Sequence, residues 1–190
     1  MATVAETIHN AVAIEQRWIH LCPELRREEE HPQEYGWEPY PPLEFANLLS
    51  VAIAYNPTGR FLDVGAGIGT KVLIAARMGL DAHGLELYPQ YVEAAREMGA
   101  NVRQWDVRNS FSLRYGIVYI NHPLRDTEAE DFLEYRIQNQ VAPGTVLITV
   151  NNIRTLPEDW NVICRPLWSD PERLRFDWVA VKPGGENGSG

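Results

Sequence analysis

The period of the apolar positions changes near Arg60. Before it, Ala11, Val12, Ile14, Trp18, Ile19 and Leu21 recur at helical spacing. They predict helical structure with a partly apolar face within residues 1–34, closing on the charged run Arg26-Arg27-Glu28-Glu29-Glu30. Pro32 and Gly36 interrupt it, and residues 35–42, Tyr-Gly-Trp-Glu-Pro-Tyr-Pro-Pro, read as an aromatic, proline-punctuated loop. Leu43 to Tyr55 reads as a largely buried helix that stops at Asn56-Pro57-Thr58-Gly59.

From Arg60 onward short apolar runs alternate with helical patterns. Phe61 to Val64, Asp81 to Leu87, Val102 to Trp105, Gly116 to Ile120 and Thr145 to Val150 read as five strands. Helices are expected from Thr70 to Met78, from Pro89 to Met98 and from Thr127 to Val141. Gly79 and Gly99 serve as stop signals, and Thr127 with Glu130 has capping-box spacing. Strands alternating with helices imply a mainly parallel sheet covered on both faces. Val162 to Trp168 and Phe176 to Lys182 differ: their spacing fits a hairpin-like pair.

Composition adds bounds. The 190 residues carry 17 Lys plus Arg against 26 Asp plus Glu, a net charge of −9, which disfavours sequence-independent binding to phosphate backbones. Cys22 and Cys164 make no zinc-ligand spacing and read as free thiols of a reducing compartment. The N-terminus carries no signal-peptide pattern, and no apolar run is long enough to span a bilayer, so a cytoplasmic protein without membrane contact is expected. Residues 1–58 read as a helical extension with its aromatic loop, 59–183 as the core domain and 184–190 as a flexible tail.

Ligands of such sheets bind beyond the carboxyl ends of the strands. After the first strand stands Asp63-Val64-Gly65-Ala66-Gly67-Ile68-Gly69-Thr70. Such a loop either brings backbone close to a ligand or only packs helix on strand. A dinucleotide fingerprint requires glycine at position 70, where Thr70 stands. Asp63 would repel a phosphate and attract an ammonium. Glu86 follows the second strand, where a carboxylate accepts both hydroxyls of a ribose or caps the helix at Pro89. Asp106 follows the third strand, where it can accept the amino hydrogens of an adenine or is a plain loop residue.

Phe61 to Thr70, Glu86 and Asp106, in that order, resemble the motifs of class I S-adenosylmethionine-dependent methyltransferases over roughly residues 60–152 and the terminal strand pair. The resemblance implies a Rossmann-like, doubly wound α/β fold: a seven-stranded, mainly parallel sheet with an antiparallel C-terminal strand and helices on both faces. It implies S-adenosylmethionine as cofactor and S-adenosylhomocysteine as product. Asp63, Gly65, Ala66, Gly67 and Gly69 would hold the methionine end, Glu86 the ribose, Leu87 the adenine face, and Asp106 with the Val107 N–H the adenine edge. Asn121-His122-Pro123-Leu124 would face the transferring methyl. Amino-methylating relatives carry Asn or Asp, two prolines and an aromatic there. His122 and Leu124 depart from that pattern and count against a planar base as acceptor.

Asn121 is thus a candidate to orient an acceptor amine or hydroxyl, and His122 is either a general base or a loop imidazole held by backbone. Tyr40 and Trp37 are candidates to sit beside the sulfonium, and Glu38 to receive a cationic substrate; the other reading has these aromatics sealing a core edge. His83 reads as a packed strand residue, and Arg103 and Arg108 as surface charges or anion contacts. Lys71 follows Gly69-Thr70 in the wrong order for a phosphate-binding loop, and no metal-ligand motif appears. The expected activity is methyl transfer to N or O of a small molecule or protein side chain, with nucleic acid disfavoured. The alternatives are a non-catalytic S-adenosylmethionine sensor or partner module, and a nicotinamide-dependent oxidoreductase.

Overall fold

The computed structural model describes residues 2–21, 39–57, 59–165 and 176–184. Expectations for Cys22, Trp37, Glu38, the 26–30 charge run, the 169–172 turn and the last six residues lie outside them. The element order is α1 (Val4–Leu21), α2 (Pro42–Tyr55), β1 (Arg60–Val64), α3 (Thr70–Arg77), β2 (Asp81–Glu86), α4 (Pro89–Glu97), β3 (Val102–Gln104), β4 (Ile117–Asn121), α5 (Thr127–Gln140), β5 (Val146–Asn152), β6 (Asn161–Cys164) and β7 (Phe176–Val181).

The strands form one sheet in the order β3-β2-β1-β4-β5-β7-β6. β1, β2, β3, β4 and β5 pair in parallel, while β7 runs antiparallel to both β5 and β6. The expected Rossmann-like sheet is therefore present, its antiparallel strand inserted between β5 and β6. The central strands β1, β4 and β5 are buried on both faces because helices cover both, while β3 at the sheet edge exposes Arg103 and Gln104. Period two divides their side chains: Phe61, Ile117 and Tyr119 join the core shared with α2 and α3, and Leu62, Val118 and Ile120 the core shared with α5. Phe45 of α2 is fully buried, with its ring edge-on to Phe61 and Tyr119 at 5.9 and 4.9 Å. Burying such a side chain stabilises by about 1.5–3 kcal/mol.

Pro42 opens α2 at a position where a missing N–H costs nothing, as Pro89 does in α4. The start of α5 differs from expectation. Asp126, not Thr127, is the N-cap, and its carboxylate accepts the Ala129 N–H at 2.8 Å. Glu130 is drawn inward instead of back to the cap and is fully buried. Gly69 caps α3 with φ +79°, where a Cβ would lie 2.8 Å from that of Ala100, so neither the backbone nor the space admits a larger residue. Among the described residues, no helix is long and apolar enough to cross a membrane.

Candidate active site

The order of the sheet reverses between β1 and β4, and a cavity of about 110 Å³ opens at the carboxyl ends of the strands there. It is bordered by Asp63, Gly65 and Ala66 after β1, Glu86 and Leu87 after β2, and Trp105, Asp106 and Val107 after β3. Asn121 and His122 border it after β4, Asn151 at the end of β5, and Tyr40 ahead of α2. These include nearly all the residues singled out in the sequence. Gly67 and Gly69 do not border it; they shape the turn behind it.

The glycine turn is held by carboxylates and a close contact. Glu86 Oε2 accepts the Gly67 N–H at 2.7 Å, and Oε1 accepts the Tyr88 N–H at 2.9 Å. Tyr88 is the N-cap of α4, so Glu86 both caps that helix and borders the cavity. Gly65 has φ +83°, and a Cβ there would stand 2.6 Å from the Cβ of Pro123. The loops after β1 and β4 therefore touch, and glycine at 65 lets them.

Asp63 is buried and borders the cavity. No described residue donates a hydrogen bond to its carboxylate. Burial pushes it up to about 7, against the pull of the Lys71 charge and helped by the charges of Glu86 and Glu15. A buried carboxylate without a donor is costly and suits a cationic ligand group. Asp106 is held otherwise. Burial raises it, but the Arg108 side chain and N–H, all at 2.9–3.0 Å, outweigh that and hold it below the usual carboxylate range. Arg108 is thus a partner of Asp106.

At the ends of β4 and β5, Asn121 Oδ1 accepts from Asn151 Nδ2 at 2.9 Å. Asn151 sits at φ +58°, with its N–H donated to the buried Asp177 at 2.6 Å. His122 also has a left-handed φ, +40°, and its buried ring places Nδ1 3.5 Å from Glu130 Oε1. Glu134, next on α5, has a ligand atom within 4.8 Å of both, so the three side chains form one buried cluster. His83, read as packed, bonds Asp81 at 2.8 Å and Asn101 at 3.1 Å.

The sequence reading missed a group on the opposite wall. Lys71 Nζ pairs with Glu15 Oε1 of α1 at 2.6 Å, and Thr70 Oγ1 donates to the same oxygen. Tyr119 stands beside them with its hydroxyl buried. A signal for Glu15 existed: it lies among Ala11, Ile14 and Trp18 on the inward face of its helix.

No family model matches the sequence, and no curated protein matches it. Solved structures do. One is S-adenosylmethionine-bound CalS10 from Micromonospora echinaspora, an amino pentose methyltransferase, at 25% identity and TM-score 0.50 over 56% of this chain. The chain spans about half of CalS10, 48% of its length. Another is an RNA methyltransferase from Salinibacter ruber in complex with S-adenosylhomocysteine, at 21% identity and TM-score 0.59 over 80% of this chain and 98% of that one. A third is the N-methyltransferase NodS from Bradyrhizobium japonicum, at 10% identity and TM-score 0.55 over 75% of this chain and 96% of that one.

Proposed function

From its fold, that of the class I S-adenosylmethionine-dependent methyltransferases, we propose that this chain transfers the methyl group of S-adenosylmethionine to an N or O atom of a small molecule or protein side chain. The cofactor supplies an electrophilic methyl on a sulfonium. Asp63 receives the ammonium of the methionine end, Glu86 the ribose hydroxyls, and Leu87 packs on the adenine. Asp106 and the Val107 N–H meet the adenine edge. The observation that carries this is Asp63: a buried carboxylate on the cavity wall, without a hydrogen-bond donor, pushed up to about 7 by its burial. A cationic group there relieves it.

Asn121 orients the acceptor and His122 takes its proton where the acceptor is a hydroxyl. A neutral amine needs little more than alignment, since held reactants gain about 7–11 kcal/mol from proximity. Residues 1–58 contribute to the site through Tyr40 ahead of α2 and Glu15 on α1. The neighbours themselves differ, one an amino pentose methyltransferase and another an RNA methyltransferase. The −9 charge and Leu124 in place of an aromatic favour a small molecule or protein side chain over nucleic acid.

Isothermal titration with S-adenosylmethionine, S-adenosylhomocysteine and the nicotinamide cofactors tests the reading. Binding of the adenosyl pair alone is expected, and binding of a nicotinamide cofactor instead would overturn it. A second reading, a sensor that binds without transferring, draws on the Asn121–Asn151 bond, which engages the acceptor-side amide oxygen internally. A radiolabelled-methyl screen separates the two: label passed to any acceptor excludes the sensor.

A further inference from the structure

Where α1 crosses the start of α3, three buried charged groups and a phenol meet. The Lys71 ammonium has three N–H donors. Glu15 Oε1, 2.6 Å away, takes one of them. No other described residue accepts from Lys71, although it borders the cavity. Asp63 attracts it through space without a hydrogen bond. Tyr119 borders the same cavity, is almost wholly buried, and its hydroxyl has no hydrogen-bond partner among the described residues. The charges of Asp63 and Glu15 both reach it, which puts it in the same group.

Unmet donors in apolar surroundings are expensive. A cationic donor and a neutral one on a single cavity suit a carboxylate, which carries one negative charge and accepts from several directions. Asp63 beside them suits an ammonium. The combination complements the zwitterionic end of an α-amino acid.

We infer that Lys71 and Tyr119 form the subsite for the α-carboxylate of the cofactor's amino-acid end, and that Glu15 of α1 competes with that carboxylate for Lys71. The inference rests on the cofactor reading above and extends it to residues outside the glycine loop. Two carboxylates on one ammonium repel each other. The Glu15–Lys71 pair is therefore weakened when the cofactor binds, and the seating of α1 and cofactor occupancy are reciprocally coupled. The competing account makes the pair a rivet that only holds α1 on the domain.

The experiment is isothermal titration of the full chain with S-adenosylmethionine and with its decarboxylated form, which keeps the sulfonium and the ammonium but has no carboxylate. The wild type is expected to bind the carboxylated form about tenfold or more tightly. Lys71→Met and Tyr119→Phe should each shrink that preference toward equality, the loss falling chiefly on the carboxylated form. Glu15→Gln keeps an acceptor for Thr70 but removes the competing charge, and should widen the preference. Equal binding of both forms by the wild type overturns the inference and leaves the cofactor assignment intact. So does a Lys71→Met variant that weakens both forms alike, which is the behaviour of a rivet. Failure of the wild type to bind either form overturns the cofactor reading itself. Should Lys71→Met not fold, Tyr119→Phe removes a single buried hydroxyl and, with Glu15→Gln, decides the matter.

Discussion

Glu130 and Glu134 stand one turn apart on α5, and each fastens one of the two loops that follow β4 and β5. Glu130 Oε2 accepts the Leu124 N–H at 3.0 Å and so holds the loop after β4. Glu134 accepts the Ile153 N–H at 3.0 Å and the Arg154 N–H at 2.7 Å and holds the chain after β5. Burial and the neighbouring Glu130 charge raise Glu134, while its two N–H donors and His122 oppose the rise.

The first expected outcome concerns that anchor. Glu134→Gln turns one of the two acceptor oxygens into an NH2 that faces a backbone N–H. A buried donor is then left unsatisfied, which costs about 1–3 kcal/mol. Urea unfolding should show a lower midpoint with an unchanged slope. A midpoint equal to wild type would mean that the chain after β5 does not depend on Glu134.

Asp63 makes stability and binding depend on pH. Its carboxyl rises from 3.8 to about 7 on folding, chiefly through burial. The folded chain thus holds this proton longer than the unfolded one. The contribution to stability is complete below about pH 4 and is lost as pH rises through about 7; a shift of this size corresponds to a change on the order of 4 kcal/mol. Asp63→Asn should flatten the decline in stability between pH 4 and 7 measured by denaturant unfolding. A cationic ligand requires the ionised carboxylate, so cofactor affinity in the wild type should rise with pH and level off above about 7. An affinity flat from pH 5 to 8 would remove Asp63 from the site.

Gly65 and Pro123 bring the β1 and β4 loops into contact, and both halves of the cavity depend on it. Gly65→Ala forces a Cβ to 2.6 Å from that of Pro123, at a φ of +83° that alanine disfavours. Strain and overpacking together should cost about 1–3 kcal/mol. The thermal midpoint should fall and cofactor affinity should drop with it. Gly79→Ala is the control: φ is also positive, +94°, but nothing lies within 4 Å, so only stability should suffer.

The elements from β1 to β5 were legible because short apolar runs and their glycine or proline boundaries are local. The cavity's β1 to β4 wall was legible for the same reason: it consists of whatever follows each strand. What was hidden depends on helix faces. Glu15 lies inward beside Ala11 and Trp18, and Glu130 and Glu134 lie inward with Leu133 and Ile137. An acid at an apolar position reads as a surface charge unless its partner is known. Those partners, Lys71 for Glu15 and backbone N–H groups for the other two, come from elsewhere in the chain. Asp126 takes the cap of α5 in place of Thr127 because, equally suited, it stands one residue earlier.

Asn151 offers a way to separate binding from transfer. Its side chain donates to Asn121 Oδ1, and its backbone has φ +58° with the N–H on Asp177. Asn151→Gly keeps a residue at ease in that conformation and removes only the amide. Asn151→Ala removes the same amide and adds a left-handed penalty of about 1–2 kcal/mol. The glycine variant should unfold close to wild type, and the alanine variant should be the less stable of the two. Neither touches Asp63, Glu86 or Asp106, so cofactor affinity in Asn151→Gly should remain at the wild-type level. Methyl transfer, once an acceptor is in hand, should change in both variants by the same factor, because each alters the same hydrogen bond at Asn121. If transfer tracks stability instead, falling in Asn151→Ala alone, the Asn121–Asn151 pair is a scaffold contact and has no part in orienting the acceptor.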